Sequence, residues 1–149
     1  MELTNILQKV ELFNGLSEDE LDEVASICTE KQLHRGEIIT SQGEHDDELF
    51  IVTEGFVEII LTESRNEPNK VVVNLGEGQL IGEMSLIDQG PRSATVRAVL
   101  EPTILQVIRR DHFEALCGHN NRIGYIVMRN LASDLSFKLR HRNLSEGSR

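Results

Sequence analysis

The sequence predicts a mainly β fold with helices at both ends, and two observations support this prediction. Short, apolar, β-branched segments fill the region from about residue 31 to residue 108 and are separated by glycines, as in a sandwich, a jelly roll or a barrel. Apolar residues at helical spacing precede and follow this region. We therefore expect one domain over 1–149, with a helical part (1–30), a β-roll (31–110), C-terminal helices (111–142) and a polar tail (143–149).

The N-terminal helical pattern contains a clear start signal. Ser17 and Glu20 have the spacing of a capping box, in which each side chain bonds the backbone amide of the other residue. Apolar residues follow at helical spacing, so we expect a helix over 18–29 and a shorter helix over 6–13 before it. The apolar residues are Leu21, Val24, Ala25 and Cys28.

Six segments in the middle of the chain predict strands, because they are short, apolar and rich in β-branched residues. The polar stretch 63–69, which contains Pro68, is expected to be a hairpin loop. The long apolar run from about residue 49 to residue 61 lacks strict alternation, which a rolled sheet with a crowded interior would explain. The predicted strands are 37–41, 49–53, 56–62, 70–75, 94–98 and 103–108.

Two helices are predicted after the strands. Asp111 as N-cap and Glu114 three residues later form a weaker capping signal for a short helix that stops near Gly118. Apolar residues at four-residue steps then predict a long amphipathic helix of about 20 residues. These apolar residues are Ile123, Val127, Leu131, Leu135 and Leu139.

Composition argues against several classes of protein. No apolar run approaches the roughly 20 residues that span a bilayer, and the N-terminus lacks the basic start of a secretory signal, so we expect a cytoplasmic protein without a membrane segment. Cys28 and Cys117 lie in apolar, helical contexts and are expected to be buried free thiols. The five histidines are scattered, without the spacing of metal ligands, so we expect no metal site.

The net charge of −10 is unevenly distributed along the chain. Residues 1–120 carry a net charge of −14, whereas residues 121–149 carry +4. An acidic body argues against a general nucleic-acid surface. It also means that a bound anion needs local positive charge or backbone amide groups.

The segment 78–98 combines groups that suit a phosphate and a sugar hydroxyl. Gly82 lets the backbone approach a ligand closely, because it has no side chain. Residues 84–86 can start a short helix whose free amide groups face the preceding residues. Arg92 offers a planar fork of donors for a phosphate, and Glu83 offers acceptors for a sugar hydroxyl. The segment therefore predicts an anion cradle beside a carboxylate.

This segment resembles the phosphate-binding cassette of the cyclic nucleotide-binding domain family, which includes catabolite activator protein and the regulatory subunits of protein kinase A. Further short motifs stand in the family's order and at similar spacing, so the resemblance covers residues 5 to 142. It implies an antiparallel β-roll of about eight strands, with N-terminal helices and a long C-terminal helix. The further motifs are 12–17, Gly36 with Glu37, 42–44, and Glu54 with Gly55.

The resemblance also implies a ligand and its contacts. The ligand would be a cyclic nucleotide, with cAMP preferred and cGMP as the alternative. Arg92 would bind the phosphate, Glu83 the ribose, and the hydroxyl of Ser93 the phosphate or a guanine edge. As a loop residue, Arg92 is expected to add little to the packing of the fold. The implied ligand contacts are Gly82, Glu83, Met84, Ser85, Arg92, Ser93 and Ala94, and the candidate base contacts are Val73 and Lys138.

These features predict a non-enzymatic sensor that passes ligand binding to an unknown effector protein through movement of the C-terminal helix. The apolar stripe of that helix could also join two copies in a homodimer. Since the chain ends at Arg149, without room for a helix-turn-helix, we expect no DNA binding by the chain alone. Two alternatives stay open: a degenerate family member that serves as a protein-interaction module, and a small β-barrel enzyme.

Overall fold

The computed structural model describes residues 2–62, 70–88 and 90–147, so the hairpin loop predicted over 63–69 lies outside the described residues. The strands of the described ranges are β1 Cys28–Leu33, β2 Ile38–Thr40, β3 Glu48–Glu54, β4 Val57–Leu61, β5 Lys70–Leu75, β6 Leu80–Ile81, β7 Thr95–Ala98 and β8 Thr103–Arg109. They form two antiparallel sheets of four strands each, in the orders β1-β8-β3-β6 and β2-β7-β4-β5. The predicted antiparallel β-roll is confirmed.

Side chains from both sheets meet in a hydrophobic core inside the roll. Phe50 and Val52 of β3 face this core, together with Val96 of β7. Leu49 and Ile51 point to the opposite side of β3, where they pack against the helices. Because successive side chains of a strand alternate between faces, burial of both faces explains why this segment of the sequence shows no alternation.

Two of the strands are not evident in the sequence pattern. β1 pairs with β8 along its whole length, but its four central residues are polar and exposed, so an apolar signal is missing. Cys28 therefore begins a strand, and the predicted helix over 18–29 ends earlier, at Ser26. β6 has only two residues. The six predicted strands agree with the structure to within one residue at each end.

The helices of the described ranges are α1 Leu3–Gln8, α2 Glu18–Ser26, α3 Arg110–His119 and α4 Asn121–Gly147, with a 3-10 helix at Glu11–Phe13. The segment 6–13 thus holds the end of one helix and a separate short turn, and not the single predicted helix. The predicted capping box of α2 is confirmed, since the Ser17 amide donates to Glu20 Oε1 at 3.0 Å and the Glu20 amide donates to Ser17 Oγ at 3.2 Å.

The predicted cap of the next helix is wrong. α3 begins at Arg110, and the residue before it, Arg109, caps it without a side-chain hydrogen bond. The Asp111 carboxylate instead accepts two hydrogen bonds from the Arg109 guanidinium, at 3.0 and 2.9 Å. The long helix also exceeds its predicted length, because α4 has 27 residues and continues to Gly147 rather than ending at 142.

The two halves of α4 differ in burial. Ile123, Val127 and Leu131 are at most 2% exposed and pack with the N-terminal helices. Phe137 and Leu139, by contrast, are 62% and 58% exposed. The single apolar stripe expected from the sequence therefore divides into a docked first half and a largely exposed second half, which we call the projecting half.

A polar network fixes the start of α4 to the N-terminal helices. The Arg122 guanidinium pairs with the buried Glu20 carboxylate and donates to the Gly15 carbonyl oxygen at 3.1 Å. The Asn120 amide donates to the carboxylates of Glu20 and Glu23, at 3.3 and 3.1 Å. Hydrogen bonding from the Ser17 backbone, and further from its hydroxyl, lowers the pKa of the Glu20 carboxyl below its ordinary value of 4.5.

We expect Glu20→Gln to lower the free energy of unfolding at pH 7 by about 1.5–3 kcal/mol, because a buried charged acceptor is lost. A carboxyl with a lowered pKa in the folded state stabilises the protein fully above its unfolded pKa, and this contribution is lost as the pH falls through the folded pKa. The difference between the two proteins should therefore shrink below pH 4.5. Urea unfolding at pH 7 and pH 3 measures it, with the exposed Glu18→Gln as control. An equal difference at both pH values would contradict the role of the charge.

Both cysteines are free thiols, as the sequence predicts, but both are partly buried and not fully buried as expected. Burial raises the pKa of Cys28 to about 12, which keeps its thiol protonated and weakly nucleophilic at neutral pH. Within the described ranges, no helix is both long and apolar enough to cross a bilayer. The same residues contain no group of three His, Cys, Asp or Glu side chains that could hold a metal ion.

Candidate functional site

The predicted site residues surround one cavity of about 430 Å³. The cavity lies between a second 3-10 helix, Glu83–Leu86, and the loop that carries Arg92 into β7. All seven ligand contacts implied by the resemblance line it. They are Gly82, Glu83, Met84, Ser85, Arg92, Ser93 and Ala94.

Gly82 and Arg92 pack against each other so closely that only glycine fits. Gly82 has a φ of +83°, in the left-handed region that residues with a side chain rarely adopt. A Cβ atom at this position would lie 1.9 Å from Arg92 Nη1. Glycine is therefore required at this position for two reasons: the backbone conformation is left-handed, and a side chain would occupy the space of the guanidinium.

The guanidinium of Arg92 is held by the start of β3 and the loop before it. Its Nη2 donates to the Glu48 carbonyl oxygen at 2.5 Å and lies 3.1 Å from Asp46 Oδ2. The guanidinium carbon also lies 5.6 Å from the centre of the Phe50 ring. Only 9% of the Arg92 side chain is exposed. The expectation that this arginine adds little to packing is therefore wrong.

Backbone hydrogen bonds place the arginine loop beside the turn after β2. The Arg92 amide donates to the Glu44 carbonyl oxygen at 2.7 Å, and the Gly43 amide donates to the Arg92 carbonyl oxygen at 2.9 Å. The side chain of Gln42 exchanges two hydrogen bonds of 2.9 Å with the backbone of Thr62 at the end of β4. The turn 42–44 thus connects the arginine loop to the neighbouring hairpin.

One side of the 3-10 helix packs against the protein core, and the other side faces the cavity. Leu86 is buried in the core that the helices form, and the Ser85 hydroxyl donates to the Glu48 carbonyl oxygen at 3.3 Å. Met84, in contrast, is 44% exposed at the rim of the cavity. The short helix predicted after Gly82 is confirmed. The Glu48 carbonyl oxygen accepts hydrogen bonds from both Ser85 and Arg92.

One cross-strand row forms the floor of the cavity. The register pairs Thr40 of β2 with Val96 of β7, Val96 with Ile59 of β4, and Ile59 with Val73 of β5. Residues paired in this way point to the same face of a sheet. Thr40, Val96 and Ile59 line the cavity, whereas Val73 continues the row beyond it and is 44% exposed.

A second, larger groove of about 800 Å³ adjoins the cavity. Leu75, Leu80 and Glu83 line both of them. The candidate base contact Lys138 lines this groove and not the cavity, and its ammonium lies 2.9 Å from Asp134 Oδ2. The hydrogen bond to Asp134 raises the pKa of Lys138, and the charges of Asp134, Glu83 and Glu11 add to this effect.

Asp46 and Thr40 are among the residues of the cavity that are missing from the sequence prediction. Asp46 follows the Gln-Gly-Glu turn in an acidic run, and that run could be interpreted as an ordinary exposed loop. Burial raises the pKa of Glu48 in the same run, and the charges of Asp46 and Asp47 raise it further. Thr40 lies at the end of a three-residue strand, where a threonine is common for its β propensity alone.

The family model of the cyclic nucleotide-binding domain matches residues 30–120. The Cyclic AMP receptor protein of Thermus thermophilus is 33% identical over 133 residues, which are 89% of this chain and 59% of that protein. The crystal structure of Thermus thermophilus Catabolite Activator Protein superposes with a TM-score of 0.80 at 34% identity, over 92% of this chain and 62% of the other.

A relative with a bound ligand has also been solved. The regulatory domain of Toxoplasma gondii PKA in complex with cAMP superposes with a TM-score of 0.75 at 26% identity. The match covers 89% of this chain and 48% of that one, so the chain spans about half to three fifths of these relatives. The matched region contains both sides of the cavity, and the chain belongs to the cyclic nucleotide-binding domain family.

Proposed function

We propose that this chain is a sensor domain that binds cAMP reversibly, with cGMP as a weaker ligand. The observation that carries the proposal is the close packing of Gly82 against Arg92 at the wall of an open cavity. A buried guanidinium is a strong partner for a phosphate, because low solvent exposure strengthens charge-assisted hydrogen bonds. The names of the relatives, which include a cyclic AMP receptor and a cAMP complex, support the choice of ligand.

The parts of the cavity suit different parts of a cyclic nucleotide. Arg92 would bind the phosphate through donors that its contacts with Asp46 and Glu48 do not use, since both contacts involve Nη2. Glu83 would accept a hydrogen bond from the ribose 2′-hydroxyl. Ser93 and Ala94 complete the wall beside the phosphate. The base would extend along the floor towards Val73 and the groove below α4.

A thermal-shift series with cAMP, cGMP, 2′-deoxy-cAMP and AMP tests the function. A ligand at 100 times its dissociation constant adds about 2.7 kcal/mol to the apparent stability, which corresponds to a midpoint shift of several degrees. We expect the largest shift for cAMP and a smaller one for the deoxy compound. No shift with any cyclic nucleotide would favour an interaction module that keeps only the fold. Equal shifts for cAMP and its deoxy form would remove Glu83 from the site.

We further propose that α4 transmits ligand binding to an effector protein. Glu83 belongs both to the cavity and to the groove that α4 covers, so a ligand on Glu83 changes the surroundings of Lys138 and Asp134. A ligand shifts a conformational equilibrium only through contacts that differ between the two states. The nucleotide base would supply these contacts by pairing with Lys138 or by packing on the projecting half of the helix.

An exposed stripe on α4 also supports a homodimer. Five residues follow the three- and four-residue spacing of a coiled-coil seam, and none of them is fully buried. Two copies could pair along this stripe as far as Arg142, where the charged side chains of two parallel helices would repel each other. The five residues are Tyr125, Met128, Ala132, Leu135 and Leu139.

Removal of the chain after Ser136 should weaken cAMP binding roughly tenfold, or about 1.4 kcal/mol, because Phe137 and Lys138 are lost from the groove. The buried residues of α4 remain, so the thermal midpoint without cAMP should change little. Removal after Arg142 serves as the matched control and should bind like the full chain. Calorimetry measures the affinity and light scattering the mass of each protein. Equal affinity of the two truncated proteins would mean that the projecting half of α4 is neither a lid nor a switch.

A further inference from the structure

The cavity holds a buried hydroxyl without a hydrogen-bond partner. Thr40 is only 2% exposed, and no atom of the described residues bonds its Oγ1. A buried polar group without a partner costs free energy, and such groups are rare in native proteins. The described part of the chain contains two further buried side-chain atoms of this kind, and one of them, Arg92 Nε, also belongs to a residue that lines the cavity.

The position of Thr40 in the sheet assigns it to one end of the ligand. It is the polar member of the floor row, which continues through the apolar side chains of Val96, Ile59 and Val73. The chain runs from Thr40 through the turn that bonds the Arg92 backbone. Thr40 thus lies at the Arg92 end of the row, and Val73 lies at the opposite end, three strands away.

We propose that Thr40 is a ligand contact whose hydroxyl bonds an oxygen of the sugar-phosphate part of the nucleotide. The inference rests on the proposed function, and it adds a residue that neither the cassette nor α4 contains. A threonine hydroxyl both donates and accepts, so it can pair with a phosphate oxygen or with a ribose oxygen. Since the base lies at the other end of the row, this contact contributes equally to the binding of cAMP and of cGMP.

The test compares Thr40→Val with the parent protein. Valine keeps the shape of threonine and removes the hydroxyl, so we expect about 5- to 30-fold weaker binding of both cAMP and cGMP, by the same factor. The thermal midpoint of the protein without nucleotide should rise, by about 2–6 °C, because an unpaired hydroxyl is removed from the interior. Weaker binding together with a more stable fold is the signature of a group that is paired only by the ligand.

A second pair of variants separates the hydroxyl from the methyl group. Thr40→Ser and Thr40→Ala both remove the methyl group, but only the first keeps the hydroxyl, so the serine protein should bind at least about five times more tightly. Equal affinities in this pair, or an unchanged affinity in Thr40→Val, would overturn the proposal while cAMP binding by the parent stands. Failure of the parent to bind any cyclic nucleotide would instead remove the proposed function, and the contact with it.

Discussion

Arg92→Ala is expected to weaken cAMP binding by a factor of about 30 to several thousand, or roughly 2–5 kcal/mol, because it removes one partner of a desolvated charge pair. The guanidinium is largely buried and held in place before the ligand arrives, so little binding energy is lost in ordering it. Isothermal titration with cAMP measures the change. Binding as tight as in the parent would contradict the assignment of Arg92 to the phosphate.

The same variant should also cost stability, in contrast to a substitution in an exposed loop. Without the guanidinium, the Asp46 carboxylate loses its ion pair with Arg92 and the Glu48 carbonyl oxygen keeps only the hydrogen bond from Ser85, which costs about 1–3 kcal/mol for such groups. Arg97→Ala is the matched control for charge, because Arg97 lies in β7 outside the cavity and pairs with Glu58. The control should bind cAMP almost normally. A similar loss of cAMP affinity in Arg92→Ala and Arg97→Ala would indicate a general effect of removing a positive charge.

Gly82→Ala is expected to weaken cAMP binding by about tenfold or more, since the added methyl group displaces the Arg92 guanidinium that would bind the phosphate. The new Cβ would lie 1.9 Å from Arg92 Nη1, whereas real Cβ atoms essentially never approach a heavy atom closer than 3.0 Å. Arg92 cannot yield without losing its contacts with Asp46 and Glu48. The guanidinium therefore moves by about 1 Å or more, and calorimetry with cAMP measures the resulting loss of affinity.

Backbone strain must be separated from this displacement. A side chain at a left-handed position costs roughly 1–2 kcal/mol wherever it occurs. Gly36→Ala provides the comparison, because Gly36 has a φ of +87°, a Cβ there meets nothing within 4 Å, and the residue lines neither the cavity nor the groove. Both variants should lose stability, but only Gly82→Ala should lose affinity. Equal affinities would show that the contact with Arg92 is unimportant for binding.

The grouping of the candidate ligand contacts around one cavity could be predicted from the sequence, because these residues are close together in the chain. Gly82, Glu83 and Arg92 lie within a short stretch, and each residue type has a specific reason to be there. Asp46 and Thr40 reach the same cavity from another part of the chain, and only the pairing of β2 with β7 and the turn that follows β2 bring them to Arg92. Their positions follow from the topology of the roll, which the spacing of residues in the sequence does not reveal.

The errors in secondary structure have a related cause. β1 is mostly polar, so it forms because β8 offers it a partner and not because its own pattern favours a strand. The apolar stripe of α4 gives one continuous pattern in the sequence, yet only its first half finds a surface to cover. In both cases the neighbouring elements decide the outcome, and a local pattern carries no information about its neighbours.

The division of α4 into a docked and a projecting half would let the helix act as a lever in the proposed transmission of ligand binding. Asn130 donates to the carbonyl oxygens of Leu12 and Asn14, at 2.9 and 2.8 Å, and these bonds fix a pivot near the middle of the helix. From Asn130 to Gly147 the arm is about 26 Å long, at 1.5 Å per residue. A tilt of about 20° at the pivot would move its tip by roughly 9 Å, more than the rise of one helical turn. An effector that binds the end of the helix would therefore detect a small change beside Glu83. By linkage, the effector would change the affinity for the nucleotide by the same factor by which the nucleotide changes the affinity for the effector.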